Sequence, residues 1–195
     1  MKLAKFAILA IFAIGILLAG CIPSLHQLYT NKDVVYDPKL VGAWKDPNSL
    51  DRWEFQKGSE PNSYTLVYTD DKKKTGSFDV HLVKLDKMLF LDVFPKDANQ
   101  PYNDYYKLHL YPVHTFVKVE QIDPLLKLRF MDIEKFTKRL EKEPKLIKHE
   151  LVEPPVEDSR KIILTASTKE LQDFMLKHAN DENVFAKPII MKRID

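Results

Sequence analysis

Ser63-Tyr64-Thr65-Leu66-Val67-Tyr68-Thr69 is the stretch whose reading decides the fold. Successive side chains of a strand point to opposite faces, so Tyr64, Leu66 and Tyr68 share one face while Thr65, Val67 and Thr69 share the other. The same period of two recurs in Phe78, Val80 and Leu82, and again in Leu126, Leu128 and Phe130, where Lys127 and Arg129 take the opposite side. Met88–Phe94 follows the second run after a short turn at Leu85-Asp86-Lys87, so this pair reads as a hairpin.

Working outward, Val41–Lys45 and Arg52–Gln56 precede these runs, separated by the turn Asp46-Pro47-Asn48-Ser49. Pro95–Asn103 is a loop by its content of Pro, Asp, Asn and Gln. Asp104–Leu110, Thr115–Gln121 and Leu126–Met131 continue the series, with turns at Tyr111-Pro112 and Asp123-Pro124. Short strands at eight- to twelve-residue spacing are the mark of an antiparallel sandwich or barrel.

The period then changes. Ile133, Phe136 and Leu140 fall on one helical face, and Pro144 ends that segment. Residues 144–158, rich in charge and proline, read as a surface connection. Lys161–Ala166 is a further strand candidate, and Ser167-Thr168-Lys169-Glu170 is a capping box that opens a second helix, with Leu171, Phe174, Met175 and His178 along one face. Ile189–Ile194 is a candidate closing strand. The fold class expected is α+β, mainly antiparallel β: a barrel or strongly curved sheet of about eight to ten strands, with two short helices toward the C-terminus.

The N-terminus has a different character. Lys2 and Lys5 precede an uncharged apolar run from Phe6 to Leu18, then small residues, then Cys21, the sole cysteine of the chain. That order is the order of a secretory signal. A retained spanning helix is the alternative, since Phe6–Leu25 carries no formal charge. Leu18-Ala19-Gly20-Cys21 resembles the lipobox of bacterial lipoproteins, and the resemblance implies cleavage between Gly20 and Cys21, with diacylglycerol on the cysteine sulfur. Two long acyl chains would contribute on the order of 20 kcal/mol of membrane affinity, at ~0.8 kcal/mol per buried methylene. Ile22 stands where an aspartate marks inner-membrane retention, so the resemblance implies the outer membrane in a host that has one.

The division expected is a signal peptide over 1–20, a lipidated cysteine and flexible tether over 21–38, and a single globular β-rich domain over 39–195. Loss of Lys2 and Lys5 lowers the basic residues from 30 to 28 against 28 acidic ones, so the mature body is formally neutral. A neutral body carries no electrostatic footprint for nucleic acid. With Cys21 committed to lipid, the body has no cysteine left for a disulfide, for zinc or for a thiol nucleophile.

Three features resemble the lipocalin family of eight-stranded barrels, over residues 40–142. Gly42-Ala43-Trp44 matches its Gly-x-Trp first strand, Asn103-Asp104-Tyr105 falls where the family often has Thr-Asp-Tyr, and Arg129 lies near where it places an arginine over the tryptophan. The first inter-strand connection is shorter than in that family, and the second helix is extra. The resemblance implies a carrier of small apolar ligands. In a hollow barrel Tyr64, Tyr68, Phe78 and Phe90 would line the site; in a filled one the same residues are core.

Signals for catalysis are few. Gly42, Gly58 and Gly76 are the only glycines after Gly20, so no phosphate-cradling loop is expected. No Gly-x-Ser-x-Gly elbow and no His-Glu-x-x-His pattern occurs, and no cofactor or metal is expected. His81, His109, His114 and Asp92 are the first residues to consider in an enzyme. Asp70, Asp71 and Lys72-Lys73-Lys74 read as a solvated hairpin tip, the lysines being also suited to anionic headgroups. The partners expected are the membrane through Cys21, a small apolar ligand, or another envelope protein to which the body is a structural or assembly partner.

Overall fold

The computed structural model describes residues 22–96, 103, 105, 109–152 and 161–194. Among these, strands form at β1 Val34–Val35, β2 Gly42–Lys45, β3 Arg52–Lys57, β4 Ser63–Thr69, β5 Thr75–Leu85, β6 Met88–Pro95, β7 Thr115–Gln121, β8 Leu126–Phe130, β9 His149–Val152, β10 Lys161–Leu164 and β11 Ile189–Ile194. Helix α1 spans Ile133–Lys142 and α2 spans Thr168–His178.

β2 through β8 form an antiparallel meander, and β11 pairs with both β8 and β2, while β5 pairs with β6, so eight strands close into a barrel. β1 adds to β5 beyond the end of β4, through Val34 opposite Val83. The period-two runs land as expected: Tyr64, Leu66, Val80, Leu82, Leu128 and Phe130 all point into the barrel core with Trp44 and Phe55. One end of the barrel carries the β2–β3 and β4–β5 connections and the start of β7. The other carries the β3–β4, β5–β6 and β7–β8 turns, and the 3-10 turn Pro38–Leu40 leads into β2 there.

A second core lies outside the barrel. Val83, Phe90 and Phe116 point outward from β5, β6 and β7 and meet Phe136 and Leu140 of α1, Leu171, Phe174 and Met175 of α2, and Ile162 and Leu164 of β10. Both faces of these strands are therefore buried. The Ser167–Glu170 capping box is made in both directions, and Asp132 caps α1 by accepting from the Lys135 amide. Lys148 and the Ser167 hydroxyl and amide hold the Glu170 carboxyl at about 2. At the far end of α2, the Lys118 ammonium donates to the Ala179 carbonyl (3.1 Å) and to Asn180 (2.7 Å). Burial lowers the pKa of that ammonium.

Four expectations are corrected. Residues 22–37 are not a free tether: Ile22, Ser24 and Leu28 are buried, Ser24 exchanges backbone bonds with His114, and Leu28 packs into the second core. The segment reads as patternless because its buried residues meet different elements: Ser24 the chain before β7 and Leu28 the Asp92 carboxylate of β6. Asp104–Leu110 is not a strand where it is described, since Tyr105 is helical and His109 lies in a turn. Leu126–Phe130 is consequently the seventh barrel strand, and the eighth is β11, after both helices. Within 144–158, His149–Val152 is a strand paired with β10 instead of irregular chain.

Candidate functional site

At the end of the barrel that bears the β2–β3 and β4–β5 connections, the interior is not filled. A cavity of about 200 Å³ is lined by Trp53, Leu66, Tyr68, Phe78, Val117 and Phe130 among others, with Asp51 at its rim. Trp53 meets Tyr68 and Phe130 edge-on, at 5.6 and 6.0 Å between ring centroids. Burial, and then the Asp51 carboxylate beside it, raise the Tyr68 hydroxyl well above the usual tyrosine pKa. It therefore stays protonated, and the wall is almost wholly apolar around the hydroxyls of Tyr68 and Thr115 and one carboxylate.

The opposite end is plugged. Trp44 lies opposite Trp53 in register, but its indole turns the other way and donates from Nε1 to the Leu40 carbonyl (2.9 Å). The Arg193 guanidinium stacks over it, 4.3 Å from the ring centroid, and donates to the carbonyls of Val41 (2.7 Å) and Lys39 (2.6 Å). Gly42 adopts φ +136, and a Cβ there would overlap that guanidinium, so only glycine suits the position. The arginine over Trp44 is thus Arg193 of β11. Arg129 points outward instead, where it donates to the Ala186 carbonyl and pairs with Glu120. The inward alternation of Ile189, Met191 and Arg193 was the available signal.

Of the four aromatics expected to line a ligand site, Tyr68 and Phe78 line this cavity. Tyr64 belongs to the plugged end: its hydroxyl accepts from the Asp37 amide (2.6 Å) and donates to the Asp37 carbonyl, its ring stacks on Tyr36, and burial pushes its pKa up to about 12. Phe90 faces the second core, because β6 is apolar on both sides and its period carries no sign of which face is inner. Trp53 and Phe130 were not expected, although both fall on inward positions of their strands. Gly20, Cys21 and Asp104 lie outside the described residues; Tyr105 is exposed.

A polar cleft of about 370 Å³ lies on the outer wall, lined by Tyr29, Glu60, Ser63, Asp79, His81 and His114 among others. Asp92 is buried behind it. One carboxylate oxygen accepts from the Leu28 amide (2.6 Å) and the other bonds His114 Nδ1 (2.6 Å). His81 stands opposite Asp92 in register and stacks on Tyr29 at 4.3 Å. Burial lowers the His81 pKa, and burial followed by Asp92 raises that of Tyr29. Three of the four residues considered for an enzyme thus converge, while His109 binds the Tyr105 carbonyl apart from them.

The convergence does not make a nucleophile-and-base line. Ser63 donates its hydroxyl to the Glu60 carbonyl, and both Asp92 oxygens are engaged in holding chain segments together. Among the described residues no group of three potential ligands could hold a metal, and no helix is long and apolar enough to cross a membrane. The chain matches no protein-family model, no curated protein and no solved structure.

Proposed function

We propose that this chain is an exported lipoprotein, cut before Cys21 and acylated on its sulfur, whose barrel takes a small apolar or lipid-like ligand through the unfilled end. The observation that carries the ligand reading is the cavity beneath Trp53, opposite an end sealed by Trp44 and Arg193. Its volume of about 200 Å³ falls below the ~300–1,000 Å³ usual for a drug-sized ligand, which favours a slender guest, such as part of an acyl chain, over a bulky one. The anchor reading rests on the lysines, apolar run and Gly20-Cys21 order of the N-terminus, and Ile22 in place of an aspartate after the cysteine favours the outer membrane in a host that has two.

Native mass spectrometry of the detergent-extracted protein tests both parts. The expected species begins at Cys21, carries a diacylglyceryl group, and holds one further lipid-sized adduct that Val117→Phe abolishes. A chain that begins at Met1 with a free thiol would sink the anchor, and a mature chain that never holds or takes up an apolar adduct would sink the carrier.

A second reading is favoured by one separate observation. β9 has no partner on its outer edge among the described residues, and Leu151 and Val152 on it are exposed, as suits a body that docks another envelope protein. A stoichiometric protein partner in the same spectrum, lost on Leu151→Lys, is its expected signature.

A further inference from the structure

The N-terminal segment crosses the outer wall in a definite direction. Ser24 is bonded in both directions to His114, just before β7 begins at the cavity end; Leu28 is held by Asp92 halfway along β6; Val34 and Val35 pair near the far end of β5. The Leu25 amide donates to the Leu164 carbonyl, the Leu164 amide to the Pro23 carbonyl, and Ile22 is buried. The backbone is therefore fixed from residue 22 onward. Consecutive Cα atoms are about 3.8 Å apart, so an anchor on Cys21, one peptide unit before the fixed Ile22, would join the described chain close to the cavity end. An anchor at or before that cysteine, whether acyl chains on its sulfur or the apolar run Phe6–Leu18, would pull this end of the barrel onto the bilayer.

The surface of the same end differs from that of the other. Leu50 in the β2–β3 connection, Leu110 and Tyr111 leading into β7, Leu25, and Ile190 at the start of β11 are exposed, Leu50 to 69% and Tyr111 to 79%. Among the described residues, the turns of the plugged end expose no large apolar side chain. The β4–β5 tip adds Lys72, Lys73 and Lys74, all exposed. Asp70 and Asp71 share that tip, but Asp70 is turned inward to accept from the amides of Lys72 and Lys74. Lysines are drawn to an anionic leaflet, and exposed leucine and tyrosine insert at the headgroup boundary.

We propose that the cavity end of the barrel is applied to an anionic phospholipid bilayer, with Leu50, Leu110 and Tyr111 at the headgroup boundary and the Lys72–Lys74 tip on the phosphates. The cavity beneath Trp53 then opens toward the leaflet, and an apolar guest passes between bilayer and barrel without crossing bulk water. This orientation rests on the anchor part of the proposed function.

The test uses the full chain, processed in a bacterial host and reconstituted into phosphatidylcholine–phosphatidylglycerol vesicles containing a doxyl-labelled lipid. An acylated sulfur is a thioether and takes no thiol dye, so single cysteines at Leu50→Cys, Tyr111→Cys and, on the plugged-end β5–β6 turn, Lys87→Cys are labelled alone. The label at 50 and 111 should be blue-shifted and quenched several-fold more than at 87, with the difference reduced when Lys72, Lys73 and Lys74 are all changed to Glu. If the parent chain itself takes the dye and stays behind when the vesicles are floated, the anchor fails and the orientation with it. A parent that floats unlabelled while 50 and 111 are quenched no more than 87 overturns the orientation alone, and leaves those side chains to a protein partner.

Discussion

The two cores of this molecule are built by different rules. The barrel core draws one residue in two from consecutive strands, so each contributor is announced by its neighbours, and the ladder fixes every register. The outer core gathers Ile22 and Leu28 from a segment without period, Val83, Phe90 and Phe116 from the backs of barrel strands, and the apolar faces of two helices. It has no single ladder to hold it. Individual polar bonds do that instead: Asp92 to Leu28 and His114, and Lys118 to the end of α2. The barrel is therefore expected to survive changes that loosen the outer layer.

The largest effect that would break this contrast is at Phe136, fully buried against Phe174. Phe136→Ala should cost about 3–5 kcal/mol in the denaturant midpoint. Hydrogen exchange should rise in α1, α2 and β9–β10 while the barrel ladders β2–β4 stay protected. If protection is lost uniformly, the two cores are one cooperative unit. Asp92→Ala comes next, because it leaves the buried Leu28 amide unmet and frees His114, at about 1–3 kcal/mol. The exchange change should concentrate in residues 22–33, with the emission of Trp53 unaltered.

How much of this was legible follows from the same contrast. Tyr64, Leu66 and Tyr68 disclosed the inner face of β4, and the capping box at Ser167 disclosed α2, because both signals are local. Phe90 was assigned to the wrong face because β6 is apolar on both sides, and a period of two cannot say which side is inside. Arg193 was missed in favour of Arg129 because the closing strand is separated from β8 by two helices and a hairpin, a distance over which strand counting carries no information. Of the candidate site, alternation pointed to Tyr68 and Phe78, two of the ten residues that line the cavity; the void itself was not legible, since emptiness depends on how the rings of Trp53, Tyr68 and Phe130 pack, and sequence does not fix that.

A smaller change sharpens the comparison within the barrel. Arg193→Met removes the stack on Trp44 and two bonds to carbonyls, and should cost about 1–2 kcal/mol by thermal unfolding while leaving ligand uptake beneath Trp53 intact. An equal loss of uptake would mean that the plug and the cavity are coupled. The smallest effect is one of pH. Burial holds the His81 and His178 pKa values below their ordinary value of 6.5, so the unfolded chain takes up protons that the folded one refuses. Stability is then fully present above about 6.5 and erodes as pH falls below it. His81→Gln should flatten the midpoint between pH 7 and 5.5 by under about 1 kcal/mol. An unchanged slope would mean that His81 accepts its proton in place.

The seam between β11 and β2 has a kinetic consequence. Ile194 lies opposite Ala43 and Arg193 opposite Trp44, so ring closure joins segments from nearly opposite ends of the sequence. Contacts of such separation are the slow ones in a folding reaction, since the entropy of a long loop is lost before any bond rewards it. Until that seam zips, β2 and β11 each present an unpaired edge to solvent, so a chaperone shielding those edges would have its greatest influence in that interval.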